Sequence, residues 1–496
     1  MGRCTVRTFT LLGVEPVPVD AEVDVGPGLP TFAIVGLPDL AVQEARERVR
    51  SALRASGYDV PNARVVVNLA PGPVRKHGTG FDLPIALGLL IATGQLPARL
   101  ASNCIAVGEL SLDGSARSVP GMLAFALAAR ECDAVLLAPE SAHASAGVDG
   151  VDFRPLAHLS QLKGGLPTQQ GPRGRPSDGT RLTPSLDYAQ VAGHELAKRA
   201  LLVAAAGGHN VLMVGPPGSG KTMLARRLPT ILPPLDDEER LATALVHSVA
   251  GLDESEALCG LRPFRAPHHS ASIAGLVGGG SPPRPGEASL AHNGVLFLDE
   301  MPEFGPAALQ ALRQPLEDGL VTLVRADGRL RFPARFALVG AANPCPCGFS
   351  GDDRRACTCA PAQVARYQAR IGGPLIDRID LVVDVARVDP GLLLGSPQGP
   401  SSAELRERVL AARERASARD LGPTATLAGA ELLSACALSA ATRRRLEHAA
   451  RHHRLSGRGV TRLLRVARTV ADLEDESTVT EEHIDEMLGF RAREER

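Results

Sequence analysis

The run NVLMVGPPGSGKTMLARRL, which begins at Asn210, carries Lys221, one of only four lysines among 54 basic residues; the others are Lys76, Lys163 and Lys198. Gly215, Gly220, Lys221 and Thr222 satisfy the spacing G-x-x-x-x-G-K-[ST], with Pro216, Pro217, Gly218 and Ser219 filling the loop. An apolar strand-like segment precedes the motif and a helix-like one follows, which is the context the chemistry requires. Backbone N–H groups of such a loop wrap the phosphates of a nucleoside triphosphate, and the helix N-terminus adds positive potential. Lys221 then sets a compact ammonium against the β- and γ-phosphates, while the Thr222 hydroxyl ligates Mg²⁺. A guanidinium is a wide planar fork that fits this cradle poorly. That accounts for a lysine at 221 in a chain that otherwise uses arginine.

Two further strands supply partners. GVLFLDE, 294–300, reads as a buried parallel strand with Asp299 emerging at its C-terminal end, 78 residues after Lys221. Asp299 is expected to hold Mg²⁺ through water, and Glu300 to orient or deprotonate the attacking water. RFALVGAAN, 335–343, ends in Asn343, placed either to sense the γ-phosphate or simply to end a strand. Just beyond it, CPCGFSGDDRRACTC holds Cys345, Cys347, Cys357 and Cys359, four of the nine cysteines within fifteen residues. Thiolates so concentrated suggest a Cys₄ structural zinc site, although the C-x-C pairs are tighter than the usual spacing. An unmetallated thiol loop and a redox sensor are the alternatives.

These motifs need several elements to position them, and 496 residues exceed what one core serves. Residues 1–163 read as one mixed α/β domain, in which strand-like runs such as ARVVVNLA and DAVLLAP alternate with helix-like ones such as 39–57, which aligns Val42, Ala45, Val49 and Leu53. Residues 164–186 are crowded with Gly, Pro and polar residues and read as a flexible linker. Residues 187–390 form a second α/β domain, 391–403 a Pro/Gly/Ser-rich break, and 404–496 a helical tail. Hydrophobic content of 44% and charged content of 22% describe a soluble globular protein. A net charge of −1 gives no global signal for nucleic acid. The longest apolar run, LPIALGLLIA, is about half of a membrane span. No secretory leader pattern opens the chain, so a cytoplasmic location is expected, where cysteines serve as thiols or metal ligands.

The three strands together resemble an AAA+ ATPase. FRAPHHSASIAGLVGGGSPPRPGEASLAHNGVLFLDE (264–300), NPCPCG (343–348), GPLIDRIDL (373–381) and SGRGVTRLLRVARTVADLE (456–474) narrow the resemblance to the magnesium-chelatase-like YifB/ComM family, over nearly the whole chain. The resemblance implies a multidomain α/β protein: a Lon-protease-like N-terminal domain, an AAA+ core with a hairpin before the Asn343 strand, and a helical lid. It places Arg378 as an arginine finger toward a neighbouring subunit and Arg458 as a lid arginine, with Arg462 and Arg465 competing for the latter role. A finger supplied in trans implies a closed ring, here a hexamer. The cysteine loop lies between Asn343 and Arg378, so zinc there would stiffen the subunit interface.

The resemblance also directs two segments toward the ring's channel. One is the insert 272–289. The other is LVTLVRADGRLRFP, 320–333, a hairpin with a turn at Asp327–Gly328 and Arg325, Arg329 and Arg331 about it. Those arginines either track a DNA backbone or are ordinary solvated residues. Nine arginines against one acid, Glu447, between residues 441 and 468 fit phosphate contact or lid pairing equally. The family reading is a branch-migration helicase acting on branched or single-stranded DNA. Matching the N-terminal motifs puts Gly80 where Lon-like enzymes carry the serine and Leu123 where they carry the lysine, so no proteolysis is expected. A chelatase ATPase subunit and a protein-remodelling ATPase are the rival readings. The first lacks the D-x-S-x-S motif of its partner subunit, and the second lacks an aromatic pore pair.

Overall fold

The computed structural model describes residues 2–142, 148–171, 186–325, 328–352, 354–371, 373–394, 399–421 and 423–490. The N-terminal domain is built on strands β1 (Arg3–Leu12), β2 (Glu15–Gly26), β3 (Thr31–Val35), β4 (Arg64–Ala70), β5 (Cys104–Ala106), β6 (Glu109–Leu110), β7 (Ala116–Arg117), β8 (Val135–Pro139) and β9 (Asp152–Leu156). Seven of them form one mixed sheet in the order β3-β4-β2-β1-β5-β8-β9, and β6 pairs with β7 separately. The helix Leu40–Ala55 starts where Asp39 accepts a hydrogen bond from the Val42 N–H at 2.9 Å, and it buries Val42, Ala45, Val49 and Leu53. Capping and the 3.6-residue period thus agree on one helix facing one core. Gln170 N–H donates to the Phe153 carbonyl at 3.0 Å, and Arg154 donates to Pro167 O at 3.2 Å. The first stretch of the expected linker is therefore held against β9, while 172–185 lie outside the described residues.

The second domain contains β10 (Val211–Val214), β11 (Phe264–Arg265), β12 (Gly294–Leu298), β13 (Leu320–Arg325), β14 (Gly328–Pro333), β15 (Phe336–Ala342) and β16 (Leu381–Asp384). Five of these form a wholly parallel sheet in the order β11-β12-β15-β10-β16. The three central strands, β12, β15 and β10, are apolar throughout because both faces are covered. Val211 and Met213 enter one core with Val339, Ala341, Leu381 and Val383, whereas Leu212 and Val214 enter another with Leu296, Leu298 and Leu338. The first core also takes Leu405, Val409, Leu463, Val466 and Val470 from the C-terminal helices Ser402–Ser417 and Gly457–Leu473. The lid is thus seated on the ATPase sheet, and Arg413 fastens it through two hydrogen bonds to the Ala205 carbonyl, at 3.1 and 2.8 Å.

The two α/β domains meet along a buried seam. Leu123 and Leu127 pack with Leu235, Ala244 and Ala257, and the Gly121 N–H donates to the Ser248 carbonyl at 2.8 Å. Leu123 is fully buried there, so the position that would hold a protease's base serves in docking. Farther along, Leu11 and Val14 from the β1–β2 hairpin pack beside Val321 and Leu330 of the β13–β14 hairpin.

The β13–β14 hairpin differs in detail from its expected form. Gly328, expected in the turn, already pairs with Arg325 as the first residue of β14, while residues 326–327 lie outside the described residues. Arg329 and Arg331 stand opposite Val324 and Thr322 on one face of the ribbon, and all but the half-buried Thr322 are exposed. Arg325 shares the other face with Leu323 and Leu330, the side that enters the core. The period of two separates it from the other two arginines.

Candidate functional site

The order of the parallel sheet creates the site. β15 lies between β10 and β12, so the residues following these three strands emerge side by side at one edge. Gly218 and Gly220 hold φ of +75° and +87°, a region open to glycine, and turn the chain from β10 into the helix Lys221–Ile231. Lys221 is buried, and its Nζ donates to the carbonyls of Gly215 at 2.7 Å and Pro216 at 3.0 Å, and to Asn343 Oδ1 at 3.4 Å. Burial lowers the Lys221 pKa, against an opposing pull from the carboxylates of Asp299 and Glu300.

Thr222 Oγ1 donates to Asp299 Oδ2 at 2.7 Å. A hydroxyl and a carboxylate converging this closely fit a hard divalent cation carried by a nucleotide, and Mg²⁺ there would offset developing negative charge on the phosphates. The Ser219 hydroxyl is buried without a partner in the same loop, a polar group suited to a ligand oxygen. Glu300 adopts a left-handed backbone with φ of 50° that turns its side chain out of the strand line, leaving it exposed. Its Oε2 stands 3.6 Å from His269 Nδ1. Lys221, Thr222, Asp299, Glu300 and Asn343 are therefore brought together.

Arg378 and Arg458 are not part of that group. Arg378 ion-pairs with Glu317, which also binds Arg313 at 3.0 Å, and its carbonyl accepts from Asn210 Nδ2 at 2.8 Å. Asn210 precedes β10, at the sheet edge opposite the phosphate loop. Arg458 is exposed in the first turn of its helix. Its two competitors are engaged internally: Arg462 donates to the carbonyls of Ile376 and Ile379, and Arg465 to those of Leu427 and Thr426. Arg445 pairs with Asp485, and buried Arg468 pairs with Asp472. Much of the basic cluster at 441–468 thus holds the lid together.

The four cysteines converge, as their concentration in one short stretch suggested and despite the tight C-x-C pairs. Their sulfurs all lie within 4.8 Å of one another, a group able to hold a metal ion, and all are free thiols. Backbone N–H groups of Thr358 and Phe349 pull the Cys347 thiol down to about 5.

Several neighbours of the site escaped the reading of the sequence. His269 faces Glu300 from the segment after β11, whose two residues are too short to show a period. Tyr367 is buried against Asn343, whose N–H faces the phenol oxygen, and burial pushes its pKa up to about 12. Gly348 lies directly against the phosphate loop: a β-carbon there would stand 2.6 Å from Pro217 Cδ. For His269 and Gly348 the available signal was their placement inside the phrases that carried the family resemblance; Tyr367 lies outside those phrases.

A parallel sheet with a phosphate loop, an acidic strand end and a seated helical lid defines a P-loop ATPase. Residues 187–392 match the family described as magnesium chelatase, subunit ChlI; 21–141 match subunit ChlI of Mg-chelatase; and 399–491 match its C-terminal region. The chain is 43% identical to YifB of Salmonella typhimurium, covering 99% of this chain and 97% of that one. It is 42% identical to competence protein ComM of Haemophilus influenzae over 99% and 98% of the two chains. The magnesium-chelatase 38 kDa subunit of Rhodobacter capsulatus is 26% identical over 62% of this chain and 87% of its own. The chain belongs to the YifB/ComM family of magnesium-chelatase-like AAA+ ATPases. Among the described residues no helix is long and apolar enough to cross a membrane.

Proposed function

We propose that this chain is the subunit of a cytoplasmic ATP-driven ring, hexameric in this reading, that moves branched or single-stranded DNA and promotes branch migration. The observation that carries the DNA reading is the face of the β13–β14 ribbon. Arg329 and Arg331 lie side by side and exposed, the opposite face enters the ATPase core, and no described acid pairs with either. Such a row tracks phosphates without reading bases. The designation of the Haemophilus relative as a competence protein supports the same substrate.

In this reading Lys221 binds the β- and γ-phosphates, Thr222 and Asp299 hold Mg²⁺, Glu300 orients or deprotonates the attacking water, and Asn343 senses the γ-phosphate beside that water. Arg378 acts on a neighbouring copy's nucleotide, since it lies at the edge away from its own loop, and Arg458 contacts the phosphates in its own subunit or a neighbouring one. The four cysteines ligate one structural Zn²⁺.

ATP hydrolysis measured without DNA, with single strands and with a four-way junction tests the reading, with Lys221→Ala as the blank. Junction-stimulated hydrolysis with branch movement is expected. Arg329→Ala with Arg331→Ala is expected to abolish the stimulation while basal turnover persists. Turnover indifferent to every DNA would overturn the DNA reading and leave the nucleotide site standing.

A further inference from the structure

The segment between Asn343 and Tyr367 does more than bridge two elements. The Cys345–Cys357 and Cys347–Cys357 sulfur separations are 3.7 and 3.6 Å, and Cys345–Cys347 is 3.3 Å. A tetrahedral zinc with Zn–S bonds of about 2.3 Å sets its sulfurs roughly 3.8 Å apart. A disulfide would bring one pair to about 2.05 Å. The backbone is turned inward to serve thiolates as well: the Ser350 N–H points at Cys345 Sγ at 3.3 Å and the Cys359 N–H at Cys357 Sγ at 3.4 Å. Such outer donors orient ligands and spread their charge.

This knot touches the nucleotide machinery from two sides. Cys345 is fully buried and only two residues beyond Asn343, whose Oδ1 reaches Lys221 Nζ. Gly348, in the turn closed by its N–H on the Cys345 carbonyl at 2.9 Å, has φ of +85° and lies flush on Pro217 of the phosphate loop. The helix Pro361–Gln368 begins two residues after Cys359 and returns Tyr367 beneath Asn343, while Gln368 Nε2 donates to the Pro344 carbonyl at 3.2 Å. One ion at the four sulfurs would therefore tie the strand exit, the turn and this helix into a brace.

We propose that a zinc ion held by Cys345, Cys347, Cys357 and Cys359 braces the phosphate loop through Gly348 on Pro217, so that metal occupancy and nucleotide affinity are coupled. The coupling rests on reading the cysteines as a zinc site, and the test separates the two. A coupling of this kind typically corresponds to about 5–150-fold in affinity and acts reciprocally. Zinc removal weakens Mg²⁺-nucleotide binding about tenfold, and bound nucleotide slows zinc release to a chelator.

The full chain is assayed for metal content and for binding of a fluorescent ADP analogue in Mg²⁺. One zinc per chain is expected as purified. Stripping it weakens the analogue about tenfold, and added Zn²⁺ restores binding where further Mg²⁺ does not. Gly348→Ala is expected to keep its zinc and still weaken the analogue, because its β-carbon displaces Pro217. That variant carries the test if the stripped chain unfolds. Absence of zinc, or iron in its place, overturns the metal reading and the coupling with it. Zinc present, but analogue affinity within twofold of the parent in Gly348→Ala and the stripped chain, overturns the coupling alone.

Discussion

Replacing Lys221 by methionine or by arginine tests whether the site needs a compact ammonium or only a positive charge. Nζ is enclosed by the Gly215 and Pro216 carbonyls at 2.7 and 3.0 Å and by Asn343 Oδ1 at 3.4 Å, and the side chain is 8% exposed. Methionine keeps the apolar stem and removes the charge. Losing a charged hydrogen bond to the bound phosphates costs about 1.5–3 kcal/mol in affinity. Losing a preorganised donor at the developing charge costs roughly another 2.7–4 kcal/mol in turnover. Together these lower kcat/KM by about 10³- to 10⁵-fold. Arginine keeps the charge, but its planar fork must displace the carbonyls or Asn343, so it is expected to fall with methionine rather than with the parent. Steady-state phosphate release with Mg²⁺-ATP reads the turnover, and binding of a fluorescent ADP analogue reads the affinity. If Lys221→Arg hydrolyses within about threefold of the parent, the argument that pocket shape requires lysine is wrong.

Other expectations concern separate parts of the molecule. Glu300→Gln should bind nucleotide within about threefold of the parent while hydrolysis falls about 10²–10⁴-fold, as loss of a general base predicts; equal losses in both would assign Glu300 to binding. Burial, with a smaller contribution from Arg335, holds His292 down to about 4 from 6.5, and its Nδ1 accepts the Arg335 N–H at 3.0 Å. The unfolded chain binds that proton at higher pH than the folded one. Stability is therefore complete above about pH 6.5 and falls as pH drops toward 4, by up to about 3 kcal/mol. Urea midpoints against pH should show the slope, and His292→Gln should flatten it. Leu123→Lys should produce no peptide hydrolysis, because Gly80 offers no hydroxyl, and should lower the thermal midpoint by burying an ammonium in the domain seam. An unchanged midpoint would mean the seam opens in solution. Asp472→Ala should cost about 3–5 kcal/mol by thermal unfolding, since it strips the bidentate partner of Arg419 and the partner of fully buried Arg468.

Some of this architecture can be read along the chain because its causes are local. Asp39 before an apolar period announces the helix Leu40–Ala55, and the phosphate loop is written in eight consecutive residues. The apolar runs before Gly215, Asp299 and Asn343 mark strands covered on both faces. Other features need two segments at once. Arg325, Arg329 and Arg331 look equivalent in the sequence, yet strand pairing puts Arg325 on the opposite face. Nine arginines at 441–468 look like one basic patch, but Arg445, Arg462, Arg465 and Arg468 are used inside the lid or against the ATPase domain. A charge count cannot distinguish a guanidinium facing solvent from one satisfied by buried carbonyls.

The sequence by itself therefore determined the chemistry of the phosphate loop, the acids at the end of the next strand and the grouping of four thiols. Each depends on residue type at short spacing, which covalent geometry preserves. Only the tertiary structure decided that Asn343 reaches Lys221 across 122 residues, that Gly348 rests on Pro217 and that Leu123 is a docking residue. Those contacts follow from the order of strands in the parallel sheet and from the packing of domain faces. Burial of apolar surface over the whole chain sets both, and no local spacing encodes them.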